Sequence, residues 1–113
     1  MPHIIIDYAS ELASDAQLPP MVDAVHEAVV ASGLFDEDHI KTRAIPVMHY
    51  RVGDNTGPYI HVQCRIHIGR SDEQRRRLSE AVLAAVRAQG WAAKVITVEV
   101  VEMDRLSYAK YTR

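Results

Sequence analysis

Residues 59–68 alternate without a break. Ile60, Val62, Cys64, Ile66 and Ile68 fall on one side of an extended chain, and Tyr59, His61, Gln63, Arg65 and His67 fall on the other. A strand of this kind requires a sheet with one face on an apolar core and one face against something polar. The rest of the chain must supply the cover, and two segments have helical spacing suited to it. Leu18-Pro19-Pro20 opens the first, since proline is tolerated in a first helical turn, and Met21, Val22, Val25, Ala28 and Val29 mark its buried face. Gly33 stands where such a helix stops. Gly69-Arg70 leads into the second, which Ser71-Asp72-Glu73-Gln74 opens as a capping box; Leu78, Val82, Ala85 and Val86 line it and Gly90 stops it.

Three more stretches read as strands. Residues 2–8 carry the β-branched run Ile4-Ile5-Ile6. Residues 40–50 form another, with Pro46 marking an edge or a bulge. Residues 94–103 place Ile96, Val98 and Val100 on one face. Residues 9–16 read as a polar loop, residues 51–58 as a turn rich in Gly, Asp, Asn and Pro, and the tail from Asp104 to Arg113 has no period. The order is β-α-β, turn, β-α-β, with pseudo-repeats at 1–50 and 59–103 of a single domain spanning 1–113. Strands within each unit should run parallel through a right-handed crossover. The expected fold is α+β: a four-stranded mixed sheet with two helices on one face. No helix remains for the face of Tyr59, His61, Gln63, Arg65 and His67, so other subunits should cover it.

Composition excludes several classes. Thirteen basic residues against fifteen acidic ones give no electrostatic footprint for nucleic acid or an anionic membrane. No apolar run is long enough to span a bilayer, the start lacks the pattern of a signal peptide, and the lone Cys64 fits a reducing compartment; a cytoplasmic protein is expected. His61 and His67 share a strand face but lie about 20 Å apart along it, and Cys64 points the other way, so no metal site is expected. Arg75-Arg76-Arg77 reads as an exposed helix face.

The start of the chain carries chemistry. A small second residue favours removal of Met1, which leaves Pro2 as a terminal secondary amine with a fixed ring. Burial or a neighbouring cation would lower its pKa and make it a competent general base near pH 7. The plainer alternative is that Pro2 simply begins an edge strand. Lys41 and Arg43, two apart on a strand, share a face, and Arg70 sits between strand and helix, where a guanidinium can meet a carboxylate bidentately.

Met1-Pro2-His3, Leu18-Pro19, Gly33 with Phe35, Ile40-Lys41-Thr42-Arg43, His61 and Gly69-Arg70-Ser71 together resemble the tautomerase superfamily, and within it the 5-carboxymethyl-2-hydroxymuconate isomerase family, over nearly the whole chain. Ile66-His67-Ile68 followed by Gly69-Arg70-Ser71-Asp72-Glu73-Gln74 is similar to the strand-to-helix motif of 4-oxalocrotonate tautomerase. The resemblance implies a homotrimer of doubled β-α-β units with no cofactor and no metal. It implies an enzyme of aromatic catabolism that moves a proton on an unsaturated di- or tricarboxylic acid, a 2-hydroxymuconate-type dienol, with Pro2 and Arg70 catalytic. Lys41 or Arg43 would bind a carboxylate or polarise the 2-oxygen. Lys41 stands where the family has arginine, which keeps the charge and loses the bidentate fork. The second half of the chain has no terminal proline, so one site per subunit is expected. The competing class is a trimeric binding or interaction protein on the same scaffold, without turnover.

Overall fold

The computed structural model describes residues 1–54 and 57–113; Asn55 and Thr56 of the expected 51–58 turn lie outside the described residues. Four strands and two helices make two successive β-α-β units: β1 (His3–Ala9), α1 (Leu18–Ala31), β2 (Lys41–Val47), β3 (Tyr59–His67), α2 (Asp72–Ala88) and β4 (Val95–Met103). The sheet order is β2-β1-β3-β4. β1 and β2 are parallel, β3 and β4 are parallel, and the two pairs meet antiparallel at β1 and β3. The fold is therefore the expected mixed sheet, with each parallel pair joined by its own crossover helix.

Alternation decides which face each helix covers. Ile4, Ile6 and Tyr8 of β1 and Ile60, Val62, Cys64 and Ile66 of β3 are buried, and they pack with Met21, Val25 and Val29 of α1 and Leu78, Val82 and Val86 of α2 in one cluster. Burial pushes the Cys64 thiol up to about 12, so this cysteine is a core hydrophobe without thiolate character. Val22, Ala28 and Ala85, expected on the buried helix faces, are half-buried at the margins. Ile68 departs from expectation: β3 ends at His67, and Ile68 lies past the cover of the helices, 51% exposed.

Local chemistry sets the element ends. Ser71 accepts from the Gln74 backbone N–H at 3.1 Å while the Gln74 side chain accepts from Ser71 N at 2.9 Å, closing the capping box. Gly33, at φ 71, ends the first helical segment in the left-handed region that glycine adopts without strain. The stretch between β1 and α1, expected as plain loop, holds two 3-10 turns, Ser10–Leu12 and Asp15–Gln17. β2 is shorter than the expected 40–50 and lies at a sheet edge, where Pro46 costs no internal ladder bond. Among the described residues no helix is long and apolar enough to cross a membrane.

Candidate active site

Pro2 stands one residue ahead of β1 and is fully buried. Its carbonyl accepts the Lys41 backbone N–H at 3.0 Å, so the chain's start is fixed against the start of β2. In that register His3 lies opposite Lys41 and Ile5 opposite Arg43. The amine of Met1 is held down to about 6 from the usual 8.0. Burial is the main cause, followed by the hydrogen-bonding contact and the charge of Lys41, and then by the charge of Lys110.

On one side of the terminus lies a cleft of about 260 Å³ bounded by Met1, Gly33, Phe35, Asp36, His39 and Arg70. Arg70 is positioned by the segment after α1. Its Nη2 donates to the Leu34 carbonyl at 2.8 Å, and its guanidinium lies 4.7 Å from the centroid of the Phe35 ring. One donor is thus committed, and one side of the guanidinium is occupied by the ring. On the other side is a cleft of about 520 Å³ that includes His39, Lys41, Tyr108, Lys110 and Arg113. There Lys41 Nζ donates to the His39 carbonyl at 3.1 Å. Arg43 lines neither cleft; it is exposed on the uncovered sheet face, one strand position further along.

Charge separates this end of the molecule from the helix layer. On α2, Arg75 pairs with Asp72 and Glu102, Arg76 with Glu73 and Glu80, and Arg77 with Glu73; Arg76 and Arg77 lie on the expected exposed face, whereas Arg75 is half-buried and its Nε has no partner among the described residues. Among the described residues Lys41, Arg43, Arg65, Arg70, Arg105 and Lys110 have no such carboxylate partner. Their field is felt by the histidines. His3 is lowered first by burial, then by the amino terminus, Lys41, Arg43 and Arg65. His67 is lowered first by burial, then by Arg105, the terminus and Arg70. A cationic zone that its own carboxylates do not neutralise surrounds the amino terminus, and such a zone attracts polyanions.

The structure therefore places Arg70 and Lys41 to either side of Met1, with Pro2 buried behind it, and leaves Arg43 to one side. Sequence reasoning did not single out Phe35 as the support of Arg70, nor His39, nor Tyr108 and Lys110 of the tail. Phe35 and Arg70 lie in different half-repeats, and Tyr108 donates to or accepts from His3 at 2.8 Å across 105 residues, so no local pattern signals either contact. His61, expected to be structural, binds Thr97 Oγ1 at 2.7 Å and Glu99 Oε2 at 2.6 Å on the uncovered face.

A family model described as 5-carboxymethyl-2-hydroxymuconate isomerase matches residues 2–105. A 5-carboxymethyl-2-hydroxymuconate Delta-isomerase of Escherichia coli is 27% identical over 89 residues, which cover 77% of this chain and 71% of that protein. A crystal structure of a 5-carboxymethyl-2-hydroxymuconate isomerase from Deinococcus radiodurans R1 has a TM-score of 0.84 at 20% identity, covering 99% of this chain and 90% of the other. A fused 4-OT symmetric trimer has a TM-score of 0.82 at 18% identity, covering 96% of this chain and 91% of the other. At these identities the two structures speak for the fold alone.

Proposed function

The chain belongs to the 5-carboxymethyl-2-hydroxymuconate isomerase family, and on that premise we propose that it is a tautomerase acting on a 2-hydroxymuconate-type dienol acid through Pro2. With Met1 removed, the Pro2 nitrogen becomes a terminal secondary amine beside Lys41. The observation that carries the reading is the place of the chain's start: Pro2 is fully buried and bonded to Lys41, and the residue before it shares a cleft with Arg70, so cations that lack carboxylate partners stand around it. The Pro2 amine should be shifted in the same direction as that of Met1, by the same causes, and be neutral near pH 7.

The neutral nitrogen takes the proton of the 2-hydroxyl, and electron density moves along the conjugated chain. The protonated nitrogen then returns that proton to a carbon further along, giving the 2-oxo-enoate, with no net change in atoms or electrons. Arg70 holds one carboxylate with the donors that Leu34 leaves over. Lys41, close to the nitrogen, binds the second carboxylate or stabilises charge on the 2-oxygen. Arg43 contributes charge from outside the clefts.

An ultraviolet assay with 2-hydroxymuconate and its 5-carboxymethyl derivative tests the reading; absence of turnover of both by protein lacking Met1 would overturn it. The intact mass of native-source protein decides between enzyme and binder. A retained Met1 makes the Pro2 nitrogen an amide, which is no base. For the same reason an uncleaved amino-terminal tag should abolish activity, while Pro2→Ala, which still leaves an amine, should keep part of it.

A further inference from the structure

The carboxy-terminal tail has no periodic pattern and seals no core, since Leu106 is 97% and Tyr111 86% exposed. It is nevertheless pinned. Asp104 Oδ1 accepts the Leu106 N–H at 3.1 Å, turning the chain back after β4. Tyr108 then bonds to His3 at 2.8 Å and sets its ring edge-on to His67 at 4.9 Å. These contacts carry residues 108–113 over the end of the sheet that holds the amino terminus. Little apolar area is gained by that path, so burial does not account for it.

The path does create a cleft. Lys41, Lys110 and Arg113 contribute three cations to its lining, Tyr108 and Thr112 contribute hydroxyls, and Asp38 is the one acidic side chain. This cleft shares His39 with the cleft of Arg70. The amino terminus lies between them, since Met1 lines the Arg70 cleft and its amine contacts Lys41. With Met1 removed, a ligand in the space that residue leaves meets Arg70 on one side and a basic, hydroxyl-rich cleft on the other. A dicarboxylate is fully engaged by Arg70 and Lys41. Lys110 and Arg113 are surplus to it and match a third carboxylate.

We propose that residues 108–113 form a second carboxylate subsite, in which Lys110 and Arg113 are specificity-determining residues that make an unsaturated tricarboxylate the preferred substrate over a dicarboxylate. The proposal rests on the isomerase reading and assigns the tail a part in it. Both side chains are exposed, so their replacement leaves the core untouched.

The test compares the untagged protein with Lys110→Met/Arg113→Gln, each at the pH plateau of its own activity, because Lys110 also helps to keep the amine neutral. The ratio of kcat/KM for 5-carboxymethyl-2-hydroxymuconate to that for 2-hydroxymuconate should fall by about fivefold or more, mainly through KM for the triacid, since each exposed pair is individually weak. An unchanged ratio would overturn the subsite and leave the isomerase reading standing. Calorimetry with propane-1,2,3-tricarboxylate and glutarate gives an answer that needs no turnover. Tighter binding of the tricarboxylate by the parent protein, lost in the double variant, supports the subsite even if neither dienol is a substrate. Equal binding of the two acids by the parent overturns it.

Discussion

Arg70 is held by a backbone carbonyl and an aromatic ring and not by a carboxylate. Its stem leaves the strand-to-helix junction, Leu34 holds one Nη, and the guanidinium lies over the Phe35 ring. Arg70→Ala should therefore lower kcat/KM more than tenfold, corresponding to a charge-assisted bond of about 1.5–3 kcal/mol. Arg70→Lys should recover little, because an ammonium neither stacks on the ring nor presents two parallel donors. Steady-state kinetics with a muconate-type acid checks both, and kinetics equal to the parent's would make Arg70 a structural residue only. The same zone predicts a pH dependence of stability. In protein that keeps Met1, the terminal amine, His3 and His67 all have lowered folded pKa values, so the unfolded chain binds more protons than the folded one wherever these groups titrate. Stability is then complete above the unfolded value of 8.0 for the amine and is lost as pH falls towards about 6, with the histidines adding their loss below 6.5. Thermal melts between pH 8.5 and 5.5 should show Tm falling with pH; a flat profile would mean that these shifts are absent in solution.

At the scale of elements, the helices and strands were legible because each obeys one period and carries its own stop signals. The Ser71 capping box is the clearest instance: the pattern Ser71-Asp72-Glu73-Gln74 predicts two reciprocal bonds, and both form. Ser71→Ala should cost about 1 kcal/mol, read as a lower urea midpoint with unchanged slope, and Ser71→Asp should restore most of it. β3 was legible for the same reason, up to His67. Its end was not, because Ile68 continues the pattern in sequence but passes beyond the reach of α1 and α2. The tail shows the limit more sharply. Tyr108 is placed by His3 and His67, residues that lie in different strands and come together only when β1 and β3 pair. Half of the candidate site, Pro2 with Lys41 and Arg70, could be named from residue type and resemblance. The other half, Phe35, His39 and Lys110, is defined by which loops meet, and no local propensity encodes that.

The whole subunit is unfinished on one side. Both helices lie on one face of the sheet, and the other presents rows such as Arg43, Ile5, Gln63 and Glu99, aligned by strand register. Ile45 and Val95 on that face are each 40% exposed, and Met48 beyond β2 is 68% exposed. β2 and β4 also leave two open sheet edges, which isolated proteins seldom tolerate without blunting. A two-fold pairing would bury one patch against itself. A closed ring of three lets the face of one subunit meet the edge of the next and so covers both features at once. We therefore expect a homotrimer. Sedimentation equilibrium at micromolar concentration should give a species of three 12.7 kDa subunits. Ile5→Lys, which places a cation in the middle of the face while leaving Ile4 and Ile6 in the core, should shift that species towards smaller ones. A monomer in the parent protein would sink the expectation, because the polar rows of the sheet would then be solvated and the apolar residues among them would need another partner.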